Sequence, residues 1–380
     1  MSYRDIINQI KKDWKAPDLM DGAQRCRGSK LPFSSPLMNY CTYGGIPRNK
    51  ITEFYGAPGC GKSTSCIDIC KNAIDIFDAE FNSKVSELEV EALKDKAKSI
   101  ELEDLKDIGP RKVLYIDLEH SFDSNWSDTL GITTSRIEIM QPPDVVAEDI
   151  LQVIQEIVQT GEVGLIILDS LPSLVPRTEL DKKYGERTVA ALAGLLTVFC
   201  RKIVPLLTRY ETTLVFINQI RDNMDNPYVV STPGGQAPKF YSSLRILFKL
   251  GHPVDFLGNE LPTSTENPAG YIVQAKITKQ KSAPFDRKSG SYFLMCTKGI
   301  VPMFDFAQLA IKQYQIIRKS GAWFTFTDPT TGEILVEDDK PVKINGQAKV
   351  YQFLEQHPDY YTKLQEFILN DIQGDHDDVN

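Results

Sequence analysis

No run of about 18 apolar residues occurs in the chain, so no segment reads as a membrane span. The opening stretch, Met1 to Lys15, mixes charged and apolar residues where a secretory signal needs an unbroken apolar core. A cytoplasmic setting is expected, in a bacterial cell or in the host of a phage encoding the chain. Paired Cys-x-x-Cys spacing is missing among the seven cysteines, so reduced thiols are expected rather than a disulfide framework. Positive charge is in deficit: 43 Lys and Arg against 51 Asp and Glu give −8. General electrostatic attraction to nucleic acid is thereby excluded, and a DNA site would have to be local, built from a few loops. No internal repeat is visible.

What is present is the make-up of a soluble globular protein, with 42% hydrophobic and 25% charged residues over 380 positions. That length suits one large α/β core with smaller modules attached. Over residues 1–20, Ile6, Ile7, Ile10 and Trp14 recur at helical spacing. A lone helix would not stay folded, so it is expected to pack on its own core or on a neighbouring subunit; residues 1–46 read as a polymerisation arm with its linker. From 47 to 304 short apolar runs alternate with helical patterns: Ile51–Tyr55, Val113–Leu118, Leu165–Leu168 and Leu214–Ile217, then Leu244–Leu250 and Tyr271–Ile277. The alternation predicts a doubly wound α/β domain around a central, mostly parallel twisted sheet. Residues 78–111, dense in Glu, Asp and Lys, read as a helical insertion with a solvated face. Residues 305–380, with the aromatic cluster Trp323, Phe324 and Phe326, read as a small α+β domain with an acidic tip.

The stretch Gly56-Ala57-Pro58-Gly59-Cys60-Gly61-Lys62-Ser63 fits G-x-x-x-x-G-K-[ST]. It stands between an apolar strand and a helical pattern, the two contexts such a loop needs. Its glycines let backbone N–H groups point at phosphate oxygens, Lys62 reaches the terminal phosphates, and Ser63 can ligate Mg²⁺. The loop through Thr64 is the expected cradle for ATP. Three more apolar runs end in polar residues on what should be the same sheet edge, where open α/β folds bind ligands. Asp169 suits the Mg²⁺ shell through water, Glu119 is placed to polarise an attacking water, and Gln219 can sense a γ-phosphate by hydrogen bonding. Two polar stretches, 177–188 and 221–235, leave the same edge and could form a DNA-facing surface, with Arg187, Arg201, Arg221 and Lys239 as phosphate contacts.

In order and spacing, the pieces Ile116-Asp-Leu-Glu-His120 with Asp123, Leu168-Asp-Ser170, Phe216-Ile-Asn-Gln-Ile-Arg221, Gly234-Gly235 leading to Lys239-Phe-Tyr241, Lys279-Gln-Lys-Ser-Ala-Pro-Phe285 and Gly321-Ala-Trp323 resemble the RecA-type homologous recombinases, especially bacterial and phage members. The resemblance implies a RecA-like P-loop NTPase core that hydrolyses ATP with Mg²⁺, in a helical filament on single-stranded DNA that pairs with homologous duplex. It makes Glu119 the water-activating residue, Asp169 the Mg²⁺-shell carboxylate and Gln219 the switch between ATP and the DNA loop. Asp123 and Trp126 fall where the family recognises adenine. The loops 181–188 and 221–235, with Gly234 and Gly235, coincide with its DNA-binding loops. Lys279 and Lys281 approximate a pair acting on the neighbouring subunit's γ-phosphate, and a recombination mediator or single-strand-binding protein is an implied partner. There are three departures: Gly194 replaces a DNA-contacting arginine, the 221–235 loop is shorter and holds Asp222 and Asp225, and the 78–111 insertion is extra. Two other readings of the same residues are a RecA-like motor or regulator without strand exchange, and a single-strand-binding scaffold with a decayed ATPase.

Overall fold

The computed structural model describes Asp5 and residues 29–93, 95–132, 134–144, 146–180, 191–221 and 231–374. The rest of the expected N-terminal helix, Arg187 with the 181–188 stretch, Asp222 and Asp225, and the acidic tip beyond 374 lie outside the described residues.

The apolar runs become strands of one nine-stranded sheet. Numbered along the chain, its strands are β1 (Ile51–Gly56), β2 (Lys112–Asp117), β3 (Ile137–Met140), β4 (Val163–Asp169), β5 (Thr213–Gln219), β6 (Leu244–Val254), β7 (Gly270–Gln280), β8 (Ser289–Met295) and β9 (Gly299–Ile300). Their order is β9-β8-β7-β6-β1-β5-β4-β2-β3. The six from β6 to β3 run parallel, and β7 to β9 form an antiparallel wing. Sequence periodicity passes over β3, β8 and β9, because β3 is a half-exposed edge strand and β8 opens on Ser-Gly-Ser.

Strands β1 and β4 are buried along their whole length, as expected where helices cover both faces of a parallel sheet. On one face pack Cys66, Ile69, Cys70, Ala73 and Phe77 of α1 (Lys62–Ala92). On the other pack Ile150, Leu151, Ile154 and Val158 of a helix spanning Ala147–Thr160, and Leu196, Phe199, Ile203 and Leu207 of a helix spanning Ala191–Arg209. Full burial of each such large side chain stabilises the fold by about 1.5–3 kcal/mol. The Ala191–Arg209 helix is long and apolar enough, by length and composition, to cross a membrane; Arg201 and Lys202 interrupt its apolar run, and here its apolar stripe is spent on the sheet.

Helix α1 continues for 31 residues. Past the sheet it turns back through α2 (Lys96–Ile108), so residues 78–111 lengthen the P-loop helix into a hairpin. No residue of α2 is buried, while Leu88 of α1 is. The ion pairs Lys98–Glu91 and Lys106–Glu89 are exposed and add little. At the other end, a third cluster gathers Phe304, Leu309, Phe324, Phe326, Val350, Leu354 and Leu364 with Val254 of β6 and with Phe293 and Met295 of the antiparallel wing. A three-stranded sheet (Ile317–Ser320, Trp323–Phe326, Lys343–Asn345) and the helices Pro302–Lys312, Gln347–Gln356 and Pro358–Gly374 supply it.

Candidate nucleotide and DNA site

Strand register sets the site. Gly56 aligns with Gln219 across β1 and β5, and Asp117 with Asp169 across β2 and β4. The loop leaving β1 is tight: a Cβ on Gly56 would meet Phe248 O at 2.4 Å. Gly61 has φ +89° and caps α1 without any side-chain hydrogen bond, leaving the first N–H groups of that helix to an anion. Lys62 folds back over this loop, donating to Ala57 O at 2.7 Å and Gly56 O at 3.2 Å.

Ser63 Oγ donates to Asp169 Oδ2 at 2.8 Å, and Tyr115 OH donates to the same oxygen at 2.6 Å. Burial raises the Asp169 carboxyl above its ordinary value, against the pull of these two bonds. A hydroxyl and a carboxylate in contact beside an anion cradle are the hard oxygen donors that suit Mg²⁺. The sequence does not disclose Tyr115, since a tyrosine inside an apolar run reads as core.

Glu119 lies two residues beyond β2. Its Oε1 accepts from Gln219 Nε2 at 3.0 Å and from Ser170 Oγ in a short bond. The polar ends of three strands therefore meet at one carboxylate oxygen. Asp117, also unanticipated, shapes the turn that carries Glu119, accepting from Glu119 N at 3.2 Å, Phe122 N at 2.9 Å and Gln141 Nε2 at 2.9 Å. Asp123 caps the short helix Ser124–Thr129, and Trp126 Nε1 donates to Thr64 Oγ1 at 3.3 Å, which sets the indole beside the P-loop.

Arg221 pairs with Ser231 through both backbone N–H groups and closes the base of the 221–235 loop. Gly234 and Gly235, at φ +89° and +77°, press onto Leu196 and Ala193 near the start of the Ala191–Arg209 helix, where Cβ atoms would come within 2.7 Å. The base of the 221–235 loop thus rests on the first turns of that helix. Arg201 is exposed on that helix, about 7.5 Å along its axis beyond Leu196. The backbone carbonyl of Lys239 accepts from Lys279 Nζ at 2.5 Å.

Lys279 and Lys281 both donate to Phe240 O, at 2.8 and 3.1 Å. Because β7 is antiparallel to β6, with Leu244 opposite Gln280, this pair sits where the parallel strands begin, at the end remote from the P-loop. Burial and the neighbouring Lys281 pull Lys279 down to about 8. Between the antiparallel wing and the C-terminal residues lies a cleft of about 920 Å³ whose lining carries Lys249, His252, Lys276, Lys312 and Lys319 against Glu260. In a chain of net charge −8 this is a local concentration of positive charge that residue spacing does not disclose.

A phosphate-binding loop and a carboxylate–glutamine pair on one edge of a doubly wound sheet define a P-loop ATPase. Residues 102–301 match the family model of the RecA N-terminal domain. The chain is 29% identical over 324 residues to Protein RecA of Fusobacterium nucleatum, covering 85% of this chain and 71% of that one. It is 26% identical over 329 residues to Protein RecA of Thermus aquaticus, covering 86% and 80%, and 26% identical over 351 residues to Protein RecA of Aquifex aeolicus, covering 91% and 84%. The chain belongs to the RecA family. It is a recombinase of that family and a DNA-dependent ATPase, with ATP as nucleotide, DNA as ligand and the filament as assembly.

Proposed function

We propose that this chain assembles on single-stranded DNA with MgATP and exchanges the bound strand with homologous duplex, using the residues gathered above in distinct roles. The observation that carries the reading is the shared Glu119 Oε1, which Gln219 and Ser170 hold at the mouth of the phosphate loop. Glu119 orients a water and accepts its proton as the water oxygen bonds to the γ-phosphorus and the bond to ADP breaks. Lys62 exchanges its loop carbonyls for phosphate oxygens. Ser63 hydroxyl and, through water, Asp169 would hold Mg²⁺, which when bound neutralises phosphate charge. Trp126, which donates to Thr64, and Asp123, at the cap of the same short helix, serve the adenine.

Gln219 links nucleotide to DNA because it touches Glu119 and leads directly into the 221–235 loop. The position of Lys279 and Lys281 at the far end of the strands favours action on a neighbour's ATP, which couples hydrolysis to assembly. The basic cleft offers the duplex a place apart from the loops. A recombination mediator or single-strand-binding protein completes the partner set. Strand exchange between homologous substrates tests the reading: a displaced strand that requires ATP and homology is expected, whereas hydrolysis and filaments without displacement would leave a motor or regulator.

A further inference from the structure

Glu53 is a fully buried carboxylate within β1, flanked along the strand by residues that are themselves buried. Buried ion pairs can commonly be replaced by apolar groups at no cost in stability, so fold stability alone does not account for this one. Its two oxygens serve different elements. Oε2 accepts from Arg245 Nε at 2.5 Å, and Oε1 accepts from Asn218 Nδ2 at 3.0 Å. Asn218 also donates from Nδ2 to Pro233 O at 3.1 Å, just before Gly234, and its Oδ1 accepts from the backbone N–H of Gln219 at 3.0 Å. On the opposite side Arg245 lies 4.5 Å over the Tyr55 ring and is the strand partner of Lys279. The Arg245 carbonyl accepts from Thr278 Oγ1 at 3.2 Å, and Tyr55 OH donates to that same hydroxyl at 3.0 Å.

We infer that Glu53 is a positioning residue that couples the Lys279–Lys281 pair to Gln219 and to the base of the 221–235 loop, acting through Arg245 and Asn218. The inference rests on the proposed roles of Gln219 and Lys279 and adds the buried groups that join them within one protomer. One carboxylate fixes both the guanidinium beside the lysine strand and the amide beside the loop. Displacement of Pro233 when the loop engages DNA then shifts the same amide that sets the Gln219 backbone, while a phosphate drawn to Lys279 acts on the Arg245 side. Coupling of this kind requires a contiguous set of bonded groups that both sites can bias.

The test uses the full chain with Glu53→Gln, Asn218→Ala and the double variant, comparing ATP hydrolysis with and without poly(dT), the KM for ATP and thermal unfolding. Each single change should lower the DNA stimulation ratio about tenfold, the worth of one charge-assisted hydrogen bond, with KM moving less than about threefold. The double variant should be no worse than the weaker single, because both break the same linkage. An unchanged ratio in folded variants would overturn the inference, as would a double variant whose loss is the product of the two singles. Asn218→Ala leaves the Glu53–Arg245 pair standing and decides the matter where Glu53→Gln does not fold. A parent protein whose hydrolysis ignores DNA removes the Gln219 switch and this inference together; a stimulated parent with unmoved variants removes the inference alone.

Discussion

Gln219 Nε2 donates to Glu119 Oε1 at 3.0 Å, joining the last residue of β5 to a residue two beyond the end of β2. An acceptor oxygen held from two sides is suited to receive a proton in one fixed direction. Glu119→Gln keeps the size of the group and removes its basicity, so hydrolysis should fall by at least about a hundredfold while ATP binding and DNA-bound filaments persist. Single-turnover hydrolysis at the parent rate would exclude Glu119 as the base.

Lys279 titrates at about 8 in the free protomer, below an ordinary lysine, because burial and Lys281 disfavour its charge. Contact with a neighbour's phosphate would raise that value, so ATP-driven assembly takes up protons near pH 8 and weakens as pH rises through it. Lys279→Arg, which stays charged, should flatten this dependence. The critical concentration for filament formation between pH 7 and pH 9 reports it, and identical slopes for parent and variant would contradict the trans role.

Asp68 on α1 accepts from Ser34 N at 2.8 Å, and burial lifts its carboxyl from 3.8 to about 6. The unfolded chain releases this proton near 3.8 while the fold keeps it to about 6, so the parent loses stability as pH rises through that window, by about 3 kcal/mol. Asp68→Asn still accepts from Ser34 and does not titrate. Urea unfolding should show the variant gaining on the parent between pH 4 and pH 7; a difference independent of pH contradicts the assignment.

Gly234 has φ +89°, and a Cβ there would lie 2.7 Å from Leu196 Cδ1. Gly234→Ala should weaken single-stranded DNA binding by moving the loop base, beyond the roughly 1–3 kcal/mol of strain expected for an alanine forced into this region. Gly332 has φ +73° with open space around it, so Gly332→Ala bears similar strain far from the loop. Binding measured at several salt concentrations should separate the two variants; equal DNA affinities would show that the loop base tolerates the change.

Much of the fold follows from local pattern. The loop Gly56–Ser63 is legible because all its groups are consecutive, and Glu119, Asp169 and Gln219 because each terminates an apolar run at the same sheet edge. Tyr115, Asp117 and Glu53 are not legible, since their roles arise from pairing between strands far apart in sequence, and a polar residue within a run carries no sign of its partner. The basic cleft depends on the antiparallel wing and the C-terminal helices meeting, which periodicity does not encode.

The most direct measurement is ATP hydrolysis with and without single-stranded DNA, followed in the same samples by electron microscopy, with Lys62→Ala as the control that cannot hold the phosphates. The account predicts hydrolysis strongly stimulated by DNA, filaments along the strand, and neither with Lys62→Ala. Hydrolysis indifferent to DNA, from rings or single protomers, would contradict the recombinase mechanism and leave the P-loop core alone.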